Sequence, residues 1–273
     1  MKRLMNLEPS RPVRLFLTLL PFILLLLLYW SASDARLAEN PNDRLLPSFT
    51  QIADAIDRYA FTESKRTGEY LFWQDTSASL SRILTGIAIS ALAGLLVGLL
   101  TGILPTVRAG FSPLVTVISL IPPMAILPIL FITFGLGELS KMMLVIIGTA
   151  PVIMRDIQAH VEQLPSEQLI KAQTLGASTW LVTLRIILPQ IMPRLIASVR
   201  LSLGAAWLFL IAAEAIAAQD GLGYRIFLVR RYMSMDIILP YVFWITTLAF
   251  AMDFSLRKIS ELCFPWFHQE AGK

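Results

Sequence analysis

The chain has 273 residues, 56% of them apolar and only 15% charged, with a formal net charge of +4. Its mean hydropathy is +0.66, whereas ordinary soluble proteins are about 45–50% apolar and about 25% charged, so a wholly soluble reading fits poorly. No dense Lys/Arg run suggests nucleic acid, the single cysteine Cys263 excludes an internal disulfide or a cysteine metal cage, and His160 and His268 lie too far apart to form a ligand pattern, so no metal or cofactor is expected.

Six apolar runs are long enough to cross a bilayer, which takes about 20 helical residues. Backbone in lipid must close its own hydrogen bonds, so the expected fold is all-α. Residues 1–14 carry Lys2, Arg3, Arg11 and Arg14 and precede the first run, 15–32. The same pattern, with Ser31, Ala32 and Ser33 as a small-residue end, also fits a secretory signal. The length of the run and the runs that follow favour an uncleaved helix. Between 33 and 74 lies a long polar segment in which Phe49, Ile52, Ile56 and Tyr59 fall at helical spacing. It is expected to lie on the outer membrane face.

The second run, 83–104, carries Gly86, Ser90, Gly94, Gly98 and Gly102 at every fourth position, one stripe of a helix. Such a stripe lets another helix approach closely. Packing within the chain is the simpler reading, and a surface at a translocation path or subunit interface is the functional one. The third run, 111–134, contains Pro122, Pro123 and Pro128, which predict a kink. Met124, Phe131 and Phe134 would line a pathway there or serve as packing.

The fourth run is 142–157 and the fifth is 191–213, and between them a polar insert, 158–190, has helix signals of its own. Ser166 is placed to cap a helix with Glu167 and Gln168 in its first turn, and Gly176 to end it in a left-handed conformation. Ser178 is placed to cap a second short helix running to Pro189. In the fifth run Arg200 and Glu214 are fourteen residues apart, about 21 Å of helix rise, too far to pair. Glu214 is expected to snorkel or cap a loop, with an outer gate shared with Asp220 or Arg225 as the sharper reading. Asp253, inside the sixth run at 237–256, needs a basic partner on a neighbour.

The Lys/Arg bias favours a cytoplasmic N-terminus. That places Arg108, Arg155, Lys171, Arg185, Arg194, Arg257, Lys258 and Lys273 inside, with Lys141, Arg225, Arg230 and Arg231 as the dissent. Six spans then make both termini and the 158–190 insert cytoplasmic.

Ala172, Gly176, Ile186, Leu188 and Pro189 fall at the spacing A-x3-G-x9-I-x-L-P. This resembles the "EAA" loop of permease subunits of bacterial ABC importers, and the surrounding residues are most similar to the nitrate/sulfonate/taurine branch. Ile170 and Lys171 stand where the loop's Glu-Ala would fall, with Glu167 the nearest acid upstream. A second echo, AEAIAAQDGLGY, starts at Ala213. The resemblance implies a six-helix bundle in the cell inner membrane and a homodimer with a pore at its two-fold axis. It also implies separate ABC ATPase subunits, a solute-binding protein and a coupling helix. Glu167, Lys171, Ala172, Gly176, Ala177, Ile186, Leu188 and Pro189 would then face the ATPase. Pro122, Pro123, Met124 and Glu214 would lie near the pathway or gate.

The chain carries no G-x-x-x-x-G-K-[ST], so ATP hydrolysis would belong to the partner. A secondary transporter is the alternative, but it would show mid-membrane coupling-ion carboxylates and repeated halves. An intramembrane enzyme would show H-E-x-x-H, G-x-S-x-G or a nucleophile–base pair. The sequence has none of these features.

Overall fold

The computed structural model describes residues 9–41, 43–65 and 68–270. Lys2, Arg3, Lys273 and the His268 side chain lie outside the described set. Among the described residues the chain is helical, with no strand. Five helices are long and apolar enough to cross a membrane, and a bent pair makes up to six.

Helix α1, Arg11–Glu39, opens with Pro at its first turn and carries the leucine run. Its apolar side chains, Leu24 to Leu28 among them, stand exposed and clear of the bundle. It is tied to the next segment by Tyr29 Oη donating to the Pro47 carbonyl at 2.6 Å and Ser33 Oγ to that of Leu46 at 2.9 Å. Helix α2, Phe49–Ile56, starts with a reciprocal cap between Ser48 and Gln51. It widens into a π turn, Asp57–Phe61, that sets Tyr59 edge-on against Tyr241.

Helix α3, Leu71–Ile103, begins a dozen residues before the apolar run. The polar stretch ahead of Ile83, outside the apolar run, is helical, and its side chains find partners inside the protein. Helix α4, Pro105–Leu120, and helix α5, Leu127–Phe134, replace the single kinked third span. They meet at 84°, joined through a 3₁₀ turn, Pro123–Ile126. The adjacent Pro122 and Pro123 remove two successive donors, and Ile121 is extended at the break, so the helix stops instead of bending. Pro122 and Met124 are exposed at this corner and Pro123 is half-buried. Phe131 packs on Leu127, Leu130, Leu144 and Ala213.

Helix α6 is Glu138–Glu162, followed by the short α7, Ser166–Thr174, and α8, Thr179–Val182. A π turn, Thr183–Ile187, leads without a break into α9, Leu188–Ala217. Then come α10, Leu222–Val229, α11, Met235–Cys263, and α12, Pro265–Glu270. Four helices, α3, α6, α9 and α11, form the packed bundle, with α4 and α5 against α6.

The closest approach is between α3 and α6. A Cβ built on Gly98 would sit 2.7 Å from Ile157 Cβ, and one on Gly102 would sit 2.6 Å from Val161 Cβ. Gly86 faces Val145 and Gly94 faces Ile153 in the same way, and Ser90 accepts a hydrogen bond from Thr149 at 2.8 Å. The stripe therefore packs within the chain. Replacing Gly98 with Leu inserts a side chain where the neighbour has no room, at a cost of about 1–3 kcal/mol or more. Gly98→Leu is expected to lower the melting temperature in detergent well below that of Leu96→Ala, whose side chain is exposed. Equal melting of the two variants would contradict the close contact.

Candidate functional site: a helical elbow and a buried ion cluster

Two constellations stand out, one in the insert after α6 and one at the opposite ends of the spans. In the insert, Pro165 occupies the N-cap position of α7, so Ser166 is the first helical residue and makes no side-chain cap. Proline is poorly suited to follow α6 and well suited to precede α7, which explains the shift by one residue. Glu167 is exposed in the first turn, at the positive end of the helix, and Lys171 is exposed in the last.

The helix ends in a paired C-terminal bond. The Ala177 N–H donates to the Ala172 carbonyl at 3.0 Å and the Gly176 N–H to that of Gln173 at 2.9 Å. Gly176 has φ +83°. A Cβ there would meet nothing within 4 Å, so the position asks for glycine through its backbone alone. Ala172 is buried under the turn and Ala177 half-buried.

Ser178 then caps α8, its Oγ accepting from the Leu181 N–H at 3.3 Å. The wide turn at Thr183–Ile187 lies just before Pro189, whose missing N–H a regular helix could not accommodate without a free carbonyl. Ile186, Leu188 and Pro189 sit half-buried there, with Ile187 fully so. From Thr179 to Ala217 the result is one continuous 39-residue helix. A Gln190 Nε2 bond to Gln168 Oε1 at 3.2 Å ties α7 back to it.

The elbow's surface is apolar where it turns. Leu175 is 88% exposed and Trp180 is 70% exposed, with Ile170 beside them. An apolar tip on a polar segment between spans is suited to a protein partner.

The second constellation centres on Arg82, 3% exposed in α3. Its guanidinium donates to Glu138, at the start of α6, through Nε and through Nη2 at 2.8 Å to Oε1. It reaches Glu214 Oε1 through Nη1 at 2.8 Å, the Asp220 carbonyl at 3.1 Å and the Asp220 carboxylate. All five N–H groups of the fork are thus used. Glu214, at 0% exposure, also accepts from Ser79 Oγ at 2.8 Å and from the Gly223 N–H at 2.9 Å.

Asp75 is equally buried. It accepts from the Gly221 N–H at 2.9 Å, Arg225 Nε at 2.7 Å and Tyr241 Oη at 3.1 Å. Lys141 closes the set with a 2.8 Å bond to Glu138. The turn from Gly221 to Gly223 lies flat on Glu214. Gly221 has φ +111°, and a Cβ on it would strike the Glu214 carboxyl at 2.6 Å.

Glu214 therefore does not snorkel; it is fully buried and holds the turn into α10 through the Gly223 N–H. It is buried because Arg82 neutralises it and two further groups, Ser79 Oγ and the Gly223 N–H, bond its oxygens. Asp220 joins it through Arg82, whereas Arg225 pairs with Asp75 instead. Asp253 finds its partner in Arg200, a two-pronged pair at 2.8 and 2.9 Å. Asp75, Ser79, Arg82 and Glu138 play no part in the sequence reading, and Lys141 enters it only as a basic residue between spans. The available signal was the i, i+4, i+7 spacing of the first three.

A polytopic helical bundle with a structured elbow between its spans is the architecture of a membrane permease, and the comparisons give the class. The chain belongs to the family described as binding-protein-dependent transport system inner membrane component, whose model matches residues 70–261. It is 34% identical over 195 residues to the taurine transport system permease protein TauC of Escherichia coli (strain K12), covering 71% of this chain and 70% of that one. It is 31% identical to the putative aliphatic sulfonates transport permease protein SsuC of the same organism over 82% of each chain. It is 25% identical to the bicarbonate transport system permease protein CmpB of Synechocystis over 76% and 74%. Its fold is similar to a chain of the MetNI methionine ABC transporter, with a TM-score of 0.63 at 18% identity, covering 73% of this chain and 98% of that one. The protein is a multi-pass inner-membrane permease subunit of an ABC importer, itself non-catalytic.

Removing Arg82 would leave Glu214 buried without its counter-charge, at a cost of about 3–5 kcal/mol. Arg82→Gln is expected to reduce the folded yield and melting temperature sharply, while Ser79→Ala, which keeps the ion pair, costs about 1 kcal/mol. Comparable melting of Arg82→Gln and wild type would show that the cluster does not hold the bundle.

Proposed function

We propose that the segment from Ser166 to Pro189 is the coupling elbow on which a separate cytoplasmic ATPase acts, and that the importer carries a small oxyanionic solute of the taurine, sulfonate or nitrate type. The observation that carries the coupling reading is the exposed apolar tip on a helix continuous with a membrane span. Leu175 and Trp180 offer side chains a soluble domain can enclose. The unbroken helix from Thr179 to Ala217 gives a push at the tip a rigid path into the bundle. Glu167, Lys171, Ala172, Gly176 and Ala177 shape the elbow, and Ile186, Leu188 and Pro189 seat it on the span.

The solute class rests on the relatives, which are permeases for taurine, aliphatic sulfonates and bicarbonate. A solute-binding protein would deliver it and set the selectivity. A homodimer, with the pathway between two copies, completes this reading. Pro122, Pro123 and Met124 at the broken span lie near that pathway in this reading. The basic residues Arg155, Lys171, Arg185 and Arg194 support a cytoplasmic elbow with both termini on the same side.

Leu175→Asp should leave the permease folded, since the side chain touches little, yet abolish copurification of the ATPase and ATP-dependent uptake into proteoliposomes. Gly176→Asp should insert normally, carry about 1 kcal/mol of backbone strain, and transport poorly. Normal uptake by both variants would remove the elbow from the coupling path. A reporter active only in the cytoplasm, fused after Lys273, should be active, and silence would overturn the orientation.

A further inference from the structure

At the end of the bundle that carries the elbow lies a cavity of about 300 Å³ between the last turn of α6, the start of α9 and α12. Small-molecule sites begin at about this size. Its walls include His160, Gln163, Gln190, Arg194, Trp266 and Phe267.

Three of the polar side chains, Gln163, Arg194 and Trp266, are exposed and make no hydrogen bond among the described residues. Among the described residues the Arg194 guanidinium makes one contact, lying 4.7 Å over the Phe267 ring, and no ion pair. The Gln163 amide and the Trp266 indole N–H have no hydrogen-bond partner in the described set. His160 Nδ1 is engaged by the Asp156 carbonyl at 2.8 Å, which leaves its Nε2. Gln190 is committed to the Ile186 carbonyl and to Gln168 of the elbow.

No carboxylate lines the cavity among the described residues. The two carboxylates in the last two turns of α6 are occupied elsewhere, and the Glu270 side chain lies outside the described residues. Asp156 accepts from Ser198 and stands 3.6 Å from His160, and it lines the neighbouring groove. Glu162 pairs with Arg108 at 3.1 Å.

A guanidinium with no acid partner among the described residues, an amide and an indole around one cavity form a receptor for an oxyanion. We infer that this cavity binds a phosphate-, sulfate- or sulfonate-type oxyanion, either as an anionic lipid headgroup or as a free small anion. Bound there, the anion would bridge α12 to the start of α9, next to the Gln190–Gln168 bond that steadies the elbow. The site is independent of the solute carried and of the ATPase contact, so its failure leaves the coupling reading intact.

The test uses the full-length permease in nanodiscs, in two arms. In the first, discs of phosphatidylcholine alone are titrated with sodium sulfate, with chloride at equal ionic strength as the control. In the second, phosphatidylglycerol replaces part of the lipid and no free oxyanion is added. Melting temperature and retained ligand by native mass spectrometry are the readouts. One arm should stabilise the wild type and show bound anion. Arg194→Gln should weaken that binding by about tenfold or more, one charge-assisted hydrogen bond's worth. Arg194→Lys, which keeps the charge and loses the fork, should fall between. A response in the sulfate arm identifies a free anion, and one in the lipid arm a headgroup. No response in either arm, or equal responses of Arg194→Gln and wild type, would overturn the proposal.

Discussion

One face of α3 organises this protein. Asp75, Ser79, Arg82, Gly86, Ser90, Gly94, Gly98 and Gly102 succeed one another at intervals of three or four along the helix, and all are buried. The first three supply charge and hydrogen bonds at one end. The rest are small and admit α6 to close contact over the remaining length. Lipid gives apolar side chains no reason to prefer one another, so association must come from packing and polar contacts. This face provides both, and the positions of α6, α9 and α10 follow from it.

The ionic end is more than a fastener. Glu214 in α9, Glu138 at the start of α6 and Asp220 in the turn before α10 converge on one guanidinium. Asp75 gathers α10 and α11 through Arg225 and Tyr241. Every membrane-crossing element except α1 is bonded to α3 or to a partner of α3, the α4–α5 pair through Arg108, which donates to the Thr101 and Gly102 carbonyls. In the proposed coupling, that locked end would direct motion of the long α9 helix to its other end, where the elbow hangs. A permease moved by a partner at one side needs such asymmetry, with a firm end and an end that takes the load.

The elbow was legible because its determinants are local. Gly176 and Ser178 reveal themselves through backbone preference and capping, and the short A-x3-G-x9-I-x-L-P spacing carries the rest. The glycine stripe was legible for the same reason, though not the helix it meets. The ion cluster was not, because its members come from distant segments and Asp75 to Arg82 fall outside the apolar run. Charges paired inside the protein leave no mark in an average. The broken third span was half legible: the prolines announced a disturbance, but whether the helix kinks or stops depends on what α6 offers it. Ser166 missed its cap by one residue, since Pro165 competes for the same position.

The central claim is that the elbow and α9 move as one body. Spin labels at Thr174, exposed on α7, and Leu201, 86% exposed on α9, test it in a chain with the exposed Cys263 replaced by Ser. Distances measured by pulsed electron resonance, with the ATPase bound and with and without ATP, should keep the Thr174–Leu201 separation unchanged within each copy. Distances between Thr174 labels of two copies should change with nucleotide. A Thr174–Leu201 distance that shifts or broadens on ATP binding would show a hinge at the elbow and contradict the rigid connection.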